Sequence, residues 1–172
     1  MLPAPTPRLT FRTWRDDDLP LALALFGDPR VTAKVGGPFD EVQVRERLAT
    51  EIATEREHGY QYWPMFLHDG APVGCCGLKP PAAHRPGLEL GFYILVAHWS
   101  RGYATEAARS VIAFAFDTLR ETSLFAGHHP ENAGSREVLV KLGFRYLRHE
   151  LYPPTGLEHP GYELMKKADS HV

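Results

Sequence analysis

A glycine turn followed by a helix is the first feature of this sequence that could do chemistry. Gly102 stands between Trp99-Ser100-Arg101 and an alanine-rich stretch that begins at Tyr103 and has apolar residues at helical spacing. A helix start carries unpaired N–H groups and a partial positive charge, and a neighbouring glycine lets a phosphate group approach closely. The pattern predicts a phosphate site made of backbone amides, although a purely structural turn has the same pattern.

A single carboxylate inside an apolar run is the second candidate. Glu89 interrupts residues 88–96, LELGFYILV, which predict a central strand. A carboxylate in apolar surroundings takes up a proton more readily than one in water, so Glu89 is the first candidate for a general base. The alternative is a structural carboxylate paired with an arginine. Glu150, at a strand end, is the reserve candidate for the base.

The nine histidines and two cysteines show no pattern of a metal or redox site. We expect His128 and His129 to point to opposite faces of a strand, and the sequence has no HExxH or Cys/His ligand spacing. Cys75 and Cys76 are neighbours in an apolar run, where small buried residues are the simplest interpretation. We therefore expect neither a bound metal nor a disulfide.

Predicted strands and helices alternate through the first half of the chain. A strand over residues 8–14 leads into a helix whose first turn is supplied with carboxylates by Asp16–Asp18. A second helix runs from about residue 41 to residue 57. Residues 60–78 predict an antiparallel hairpin that turns at Asp69-Gly70.

The second half of the chain continues the alternation after the strand at residues 88–96. We predict a helix from Tyr103, a short strand at Ser123–Gly127, and a helix that is capped by Asn132 and ends at Gly143. Two last strands, near residues 144–151 and 162–167, flank a loop. No internal repeat or linker divides the chain, so we predict one mixed α/β domain over residues 1–172, with an ordered core at about 8–167.

Three stretches of the sequence resemble one known family. They are RLTFRTWRDDDL at the start, LELGFYILVAHWSRGYATEAA at residues 88–108 and HHPENAGSREVLVKLGF at residues 128–144. They resemble the GNAT superfamily of N-acetyltransferases, especially the branch of the RimJ and RimL ribosomal-protein N-terminal acetyltransferases. The resemblance implies a GNAT-like α/β (α+β) fold, in which a mixed, mostly antiparallel sheet has splayed central strands and is flanked by helices.

The same resemblance implies that acetyl-CoA binds across the splayed strands. The backbone at Ile94, Leu95 and Val96 would hydrogen-bond the pantetheine arm as an added strand does. The pyrophosphate would lie on the next glycine turn and helix start, at the amides of Arg101, Gly102, Tyr103, Ala104 and Thr105. The commonest glycine loop of the superfamily begins with Gln or Arg where this sequence has Trp99, and Trp there resembles the RimJ and RimL branch.

Roles for individual side chains also follow from the resemblance. Glu89 matches a strand glutamate that some relatives use as the base, and Ser135 matches a serine that the RimL-like branch places near the CoA sulfur. Many relatives protonate the departing thiolate with a tyrosine, but that position is Leu139 in this sequence. Ser135 is alternatively a simple first-turn serine. We expect Asn132 both to cap its helix and to contact pantetheine.

The expected activity is direct acetyl transfer from acetyl-CoA to a primary amine, which is a protein or peptide N-terminus or a small-molecule amine. The alternative is a non-catalytic CoA-binding or regulatory module with the same fold, because Leu139 replaces the tyrosine. Four aromatic residues at strand spacing line the acceptor pocket or belong to the core: Trp14, Tyr62, Trp63 and Tyr93.

Charge and hydropathy restrict the partners that we expect. The formal net charge of -2 lacks the basic excess that nucleic-acid binding requires. We find no apolar run of the length of a signal peptide or a membrane span. We therefore expect a cytoplasmic monomer or homodimer with neither nucleic acid nor membrane as a partner.

Overall fold

Seven strands and five helices form the framework of the part of the chain that the structure describes. The computed structural model describes residues 1–82, 85 and 87–167. The strands are β1 (Leu9–Phe11), β2 (Tyr62–Leu67), β3 (Pro72–Lys79), β4 (Leu88–Ile94), β5 (Ser123–Gly127), β6 (Arg145–Tyr152) and β7 (Leu157–Met165). The helices are α1 (Leu19–Phe26), α2 (Pro29–Thr32), α3 (Glu41–His58), α4 (Tyr103–Ala113) and α5 (Ala133–Lys141).

The strands lie in one sheet in the order β1-β2-β3-β4-β5-β7-β6. Among the described strands, only β4 and β5 run parallel, and every other neighbouring pair is antiparallel. The predicted mixed, mostly antiparallel sheet is therefore confirmed. The hairpin that turns at Asp69-Gly70 is confirmed as well, since β2 pairs with β3.

Two hydrophobic cores cover the two faces of the sheet. On one face α4 contributes Tyr103, Ala107 and Val111, which pack with strand residues such as Trp63 and Leu124. On the other face α1 and α3 pack against the sheet through apolar residues at helical spacing, among them Leu25, Phe26, Val44, Leu48 and Ile52. The sheet is thus a middle layer, and a ligand can reach its central strands only where the layers separate.

The parallel pair β4 and β5 separates after two residue pairs. Leu88 is paired with Leu124 and Glu89 with Phe125, and no further β4–β5 pair follows. Beyond that point β4 stays with β3 through Ile94, whereas β5 stays with β7. The described strands therefore diverge in a V, as the resemblance implies, and Glu89 lies at its closed end.

Four sequence-based expectations about the strands are wrong, and the fourth concerns the last strand. The first strand stops at Phe11 instead of residue 14, because the next position of β2 is Pro64, which accepts a hydrogen bond from the Arg12 N–H but has no N–H to donate. The strand expected to reach Val96 ends at Ile94 and turns into a short 3-10 helix at Val96–His98. His128 and His129 follow the end of β5 and do not lie in a strand.

The last strand differs most from its prediction. It begins at Leu157, five residues before the expected Tyr162, and it includes Pro160. Proline is tolerated there because β5 pairs with β7 only from Gly161 onward, so no neighbour on that side needs the missing N–H. The predicted loop shrinks to a tight turn after Tyr152. Within the described residues, no helix is long and apolar enough to cross a bilayer.

Candidate active site

The start of α4 has a row of backbone amides that lack hydrogen-bond partners among the described residues. Gly102 and Ser100 both have left-handed backbone conformations, with φ of 79° and 58°, and this turn aims the chain into the helix. Among the described residues, the N–H groups from Gly102 to Thr105 have no hydrogen-bond partner, and the first helical bond is donated by Glu106 to the Gly102 carbonyl. Four open amides at a helix start form an anion site without any side chain.

A side chain from the N-terminal segment supports this turn. The Arg8 guanidinium donates hydrogen bonds to the Arg101 carbonyl at 2.9 Å and to the Glu106 carboxylate at 2.6 Å. Burial by itself would raise the pKa of Glu106, but hydrogen bonds from Thr6 and Arg8 outweigh it and hold that pKa below its ordinary value. The sequence did not indicate Arg8, because its partners lie more than 90 positions away.

The end of β4 is less open than predicted. The Ile94 carbonyl accepts a hydrogen bond from the Trp99 indole N–H at 2.8 Å, and the Leu95 N–H donates to the Val73 carbonyl at 2.9 Å. The Val96 N–H has no partner among the described residues. Of the predicted pantetheine contacts, the Val96 N–H is therefore the one without a partner among the described residues. The hydrogen bond from Trp99 fixes the end of β4.

The start of α5 follows the end of β5 in the chain, with the strand ending at Gly127 and the helix beginning at Ala133. The Asn132 side chain accepts a hydrogen bond from the Ser135 N–H at 3.1 Å, so the predicted helix cap is confirmed. Ser135 is half-buried in the first turn, whereas Leu139 is 2% exposed and belongs to the core. The predicted positions of Asn132 and Ser135 thus come together at the helix start, and Leu139 offers no acid.

Glu89 lies in a network of charges that crosses the sheet. Its carboxylate contacts Lys79 and Arg85, each at 3.0 Å, and its side chain is 17% exposed. Arg85 also binds the reserve candidate Glu150, whose other oxygen contacts Arg148. These contacts are those of the paired carboxylate that the sequence left open as the alternative for Glu89. They also keep both carboxylates on the same side of the sheet.

Arg85 was not recognised from sequence although it holds this network together. Its guanidinium lies over the Phe125 ring at 3.8 Å, so it crosses β5 between Glu89 of β4 and Glu150 of β6. The two contacts bridge 4 and 65 positions of sequence, respectively. Only the contact with Glu89 is close enough in the chain to be recognised from a sequence pattern.

His159 and Tyr152 form a second group near this network. Their rings stack at 4.6 Å, and His159 Nε2 is 2.9 Å from the Thr155 hydroxyl. His159 is 8% exposed, and burial, together with nearby His129 and His128, lowers its pKa. A neutral imidazole is able to accept a proton. The sequence missed His159 because the region around Pro160 was expected to be a loop.

The four aromatic candidates divide between core and site. Trp14 and Trp63 are 3% and 0% exposed, and Tyr62 is 4% exposed with its hydroxyl beneath Gly91. Tyr93 alone is half-buried, on the Glu89 face of β4. Three of the four therefore belong to the core. In the described part of the chain, no three His, Cys, Asp or Glu side chains are grouped so that they could hold a metal ion.

Sequence comparisons relate most of this chain to one protein family. A family profile described as an acetyltransferase (GNAT) domain matches residues 8–145. The protein YkkB of Bacillus subtilis is 31% identical over 144 residues, which are 82% of this chain and 84% of YkkB. A protein named uncharacterized N-acetyltransferase p20, from Bacillus licheniformis, is 26% identical over 81% of this chain and 80% of its own length.

Solved structures share the fold. An acetyltransferase from Agrobacterium tumefaciens superposes with a TM-score of 0.83 at 28% identity, over 96% of this chain and 95% of that chain. RimL, a ribosomal alpha-N-protein acetyltransferase in complex with coenzyme A, superposes with a TM-score of 0.80 at 12% identity, over 96% of this chain and 98% of its own. The second likeness shows the fold alone.

Proposed function

This chain belongs to the GNAT acetyltransferase family and is an acetyl-CoA-dependent N-acetyltransferase, and from that premise we propose how its residues divide the reaction. The start of α4 holds the CoA pyrophosphate, the V between β4 and β5 holds pantetheine, and the amine approaches from the Glu89 face. Membership of an enzyme family favours turnover over the non-catalytic CoA-binding module.

The observation that carries this proposal is the row of open amides from Gly102 to Thr105. Backbone N–H groups at a helix start bind phosphate oxygens and favour negative charge. The predicted set of pyrophosphate contacts, Arg101 to Thr105, covers this row. The Val96 N–H then remains for pantetheine on one side of the V, with the Asn132 side chain and its helix start on the other.

The reaction needs one bond to form and one to break. The amine nitrogen attacks the thioester carbon, the new N–C bond forms, and collapse of the tetrahedral intermediate breaks the C–S bond. The amine proton passes to Glu89, directly or through water, and the thiolate leaves with a proton from solvent or is stabilised by Ser135 at the α5 start. Lys79 and Arg85 contact the Glu89 carboxyl group, and a carboxylate retains further lone pairs beside such contacts.

The acceptor is a primary amine, either a protein or peptide N-terminus or a small molecule. The RimJ/RimL-like motifs of residues 88–108 and 128–144 favour the first choice, and the RimL likeness in fold is compatible with it. We further propose a cytoplasmic monomer or homodimer that acts without nucleic acid or membrane, in keeping with the formal charge of -2.

An acceptor screen tests this function. The purified protein is mixed with acetyl-CoA and a panel of amines, including short peptides, polyamines, amino acids and aminoglycosides, and free CoA thiol is measured. We expect amine-dependent release for at least one class, together with the N-acetylated product by mass spectrometry. Tight CoA binding without turnover across the whole panel would return the chain to the class of binding modules.

A further inference from the structure

Arg8 links the N-terminal segment to both ends of the row of open amides. Its Nη1 donates a hydrogen bond to the Arg101 carbonyl at 2.9 Å, and its Nε donates to the Glu106 carboxylate at 2.6 Å. In the chain, Arg101 comes directly before Gly102, and Glu106 comes directly after Thr105. One guanidinium therefore binds the residue before the four open amides and the residue after them.

The same guanidinium lies against the turn itself. Its carbon is 4.5 Å from the centre of the Tyr103 ring, and its Nη2 would be 3.5 Å from a Cβ at Gly102. Tyr103 is 8% exposed and belongs to the hydrophobic core, so its ring gives the guanidinium a fixed surface. Arg8 thus contacts a backbone carbonyl, a carboxylate and a ring within six consecutive residues, 101–106.

The backbone of this turn is of a kind that needs support. Ser100 and Gly102 have φ of 58° and 79°, and a left-handed conformation is uncommon for residues other than glycine. Such a conformation persists where the surrounding structure holds it. Arg101 stands between the two left-handed residues, and its carbonyl is the one that Arg8 binds. The contact with Arg8 therefore fixes the middle of the turn.

Arg8 is itself held in place. Glu106 accepts hydrogen bonds from the Arg8 backbone N–H at 3.0 Å and from the Thr6 hydroxyl at 2.6 Å. One helical turn later, the Ser110 hydroxyl donates to the Ala4 carbonyl at 2.6 Å. The N-terminal segment thus contacts α4 at two successive turns. Because Glu106 already pairs with the Arg8 charge, we expect Arg8 to act on a bound anion mainly through the geometry of the turn.

We propose that Arg8 is a positioning residue for the acetyl donor, because it keeps residues 101–106 in the shape in which the amides of Gly102–Thr105 meet the CoA pyrophosphate. The inference rests on the proposed function and extends its donor site to the N-terminal segment. It gives Arg8 no contact with the reacting atoms. Loss of Arg8 therefore weakens donors that carry the pyrophosphate and spares thioesters that lack it.

Two acetyl donors test the proposal. S-acetyl-pantetheine has the thioester and the arm of acetyl-CoA without the pyrophosphate, and kcat/KM for each donor is measured with an amine from the acceptor screen. For Arg8→Met we expect kcat/KM with acetyl-CoA to fall by about 10-fold or more, mainly through a higher KM, which is the loss of one hydrogen bond to a charged group. With S-acetyl-pantetheine, kcat/KM should change by less than about 2-fold.

Arg12→Met is the matched control. Arg12 makes the same three kinds of contact outside the donor turn, with the Asp18 carboxylate at 2.6 Å, the Thr13 carbonyl at 2.9 Å and the Phe66 ring at 4.7 Å. It should keep the wild-type ratio of kcat/KM for the two donors. An equal loss with both donors in Arg8→Met, or the same selective loss in Arg12→Met, would make Arg8 merely structural and overturn the proposal.

Arg8→Lys covers the case in which Arg8→Met does not fold. An ammonium group keeps the charge beside Glu106 but lacks the planar fork that spans Glu106 and the Arg101 carbonyl. We expect the same selective loss with acetyl-CoA. A wild-type ratio of the two donors in folded Arg8→Lys would contradict the proposal, because charge alone would then suffice.

Binding measurements distinguish a failure of this inference from a failure of the proposed function. Calorimetric titration compares CoA, 3′-dephospho-CoA and pantetheine. In the Arg8 variants, CoA and 3′-dephospho-CoA should lose affinity by the same factor, because both carry the pyrophosphate. A loss confined to CoA would assign Arg8 to the 3′-phosphate and overturn the proposal. If the wild-type protein bound CoA no more tightly than pantetheine, the pyrophosphate site of the proposed function would itself be wrong.

Discussion

The proposed donor side and the proposed acceptor side of the V are built from different parts of the polypeptide. On the donor side the open groups are backbone amides at Gly102–Thr105, fixed by a local turn. On the acceptor side the polar groups are side chains from β4, β6 and β7, joined by contacts such as Arg85 to Glu150. The proposed donor site thus depends on local conformation, whereas the proposed acceptor site depends on packing. We expect substitutions on the two sides to affect different steps.

The largest expected effect comes from the donor turn. Gly102→Val places a β-branched residue at φ of 79°, where the new Cβ would lie in ordinary contact with Arg8 Nη2, 3.5 Å away, but the backbone conformation is disfavoured. Movement of the turn would misplace several amides, each worth about 1.5–3 kcal/mol toward a charged phosphate. We expect acetyl-CoA affinity to fall by about 100-fold or more in calorimetric titration.

Gly70→Val is the matched control for that substitution. Gly70 also has a positive φ, 90°, with nothing within 4 Å of an added Cβ, and it lies in the β2–β3 turn. It should lose stability similarly and keep its acetyl-CoA affinity. Equal affinity losses in the two variants would mean that strain in general, and not the α4 amides, controls binding.

Features that depend on local conformation could be predicted from the sequence, whereas features that depend on long-range packing could not. The Gly102 turn and the Asn132 cap were predictable because a few adjacent residues determine each of them. The networks of Arg8 and Arg85 were not, because they join positions 98 and 65 residues apart in the chain. The start of β7 was missed for a related reason. Pro160 suggests a loop locally, and only the position of β7 relative to β5 makes a strand acceptable.

The next largest effect is expected on the acceptor side. If Glu89 accepts the amine proton, Glu89→Gln should lower turnover by roughly 100-fold and remove the ascending limb of its pH profile, with little change in CoA affinity. The measurement is acetyl transfer against pH with an amine from the screen. Glu41→Gln, in an exposed pair with Arg45, serves as the control and should retain wild-type rates.

Glu89 would be structural if Glu89→Gln kept both the normal rate and the normal pH profile. His159→Gln and Glu150→Gln, measured in the same way, would then show which group receives the proton. His159, which stacks on Tyr152, is one alternative proton acceptor. Glu150 is the alternative proton acceptor that the sequence already indicated.

A smaller effect is expected at the α5 start. Ser135→Ala should reduce turnover by about 10-fold or less and by the same factor at every pH, because the hydroxyl does not titrate and water can replace it. Steady-state rates across pH test this expectation, with Ser110→Ala on α4 as a hydroxyl-loss control. A changed pH profile for Ser135→Ala would contradict a role limited to the leaving thiolate.

The smallest effect concerns stability against pH. Burial lowers the pKa of His128 and of His159 in the folded protein, so the unfolded chain binds protons first as pH falls. Their contribution is fully present above the unfolded value of about 6.5 and is lost below it. In urea denaturation, the free energy of unfolding should fall as the pH is lowered from 8 to 5.5. In His159→Gln it should fall less steeply with pH. An unchanged slope would assign the decline to other groups.

The proposed acetyl-CoA site consists of the α4 start and the V between β4 and β5. Thermal unfolding with acetyl-CoA, NADH or ATP tests it without any variant or acceptor. At about 100 times its Kd, a ligand adds about 2.7 kcal/mol, or roughly 5–10 °C for a chain of this size. We predict that shift for acetyl-CoA and clearly smaller shifts for NADH and ATP. Equal stabilisation by all three compounds would contradict a site specific for acetyl-CoA.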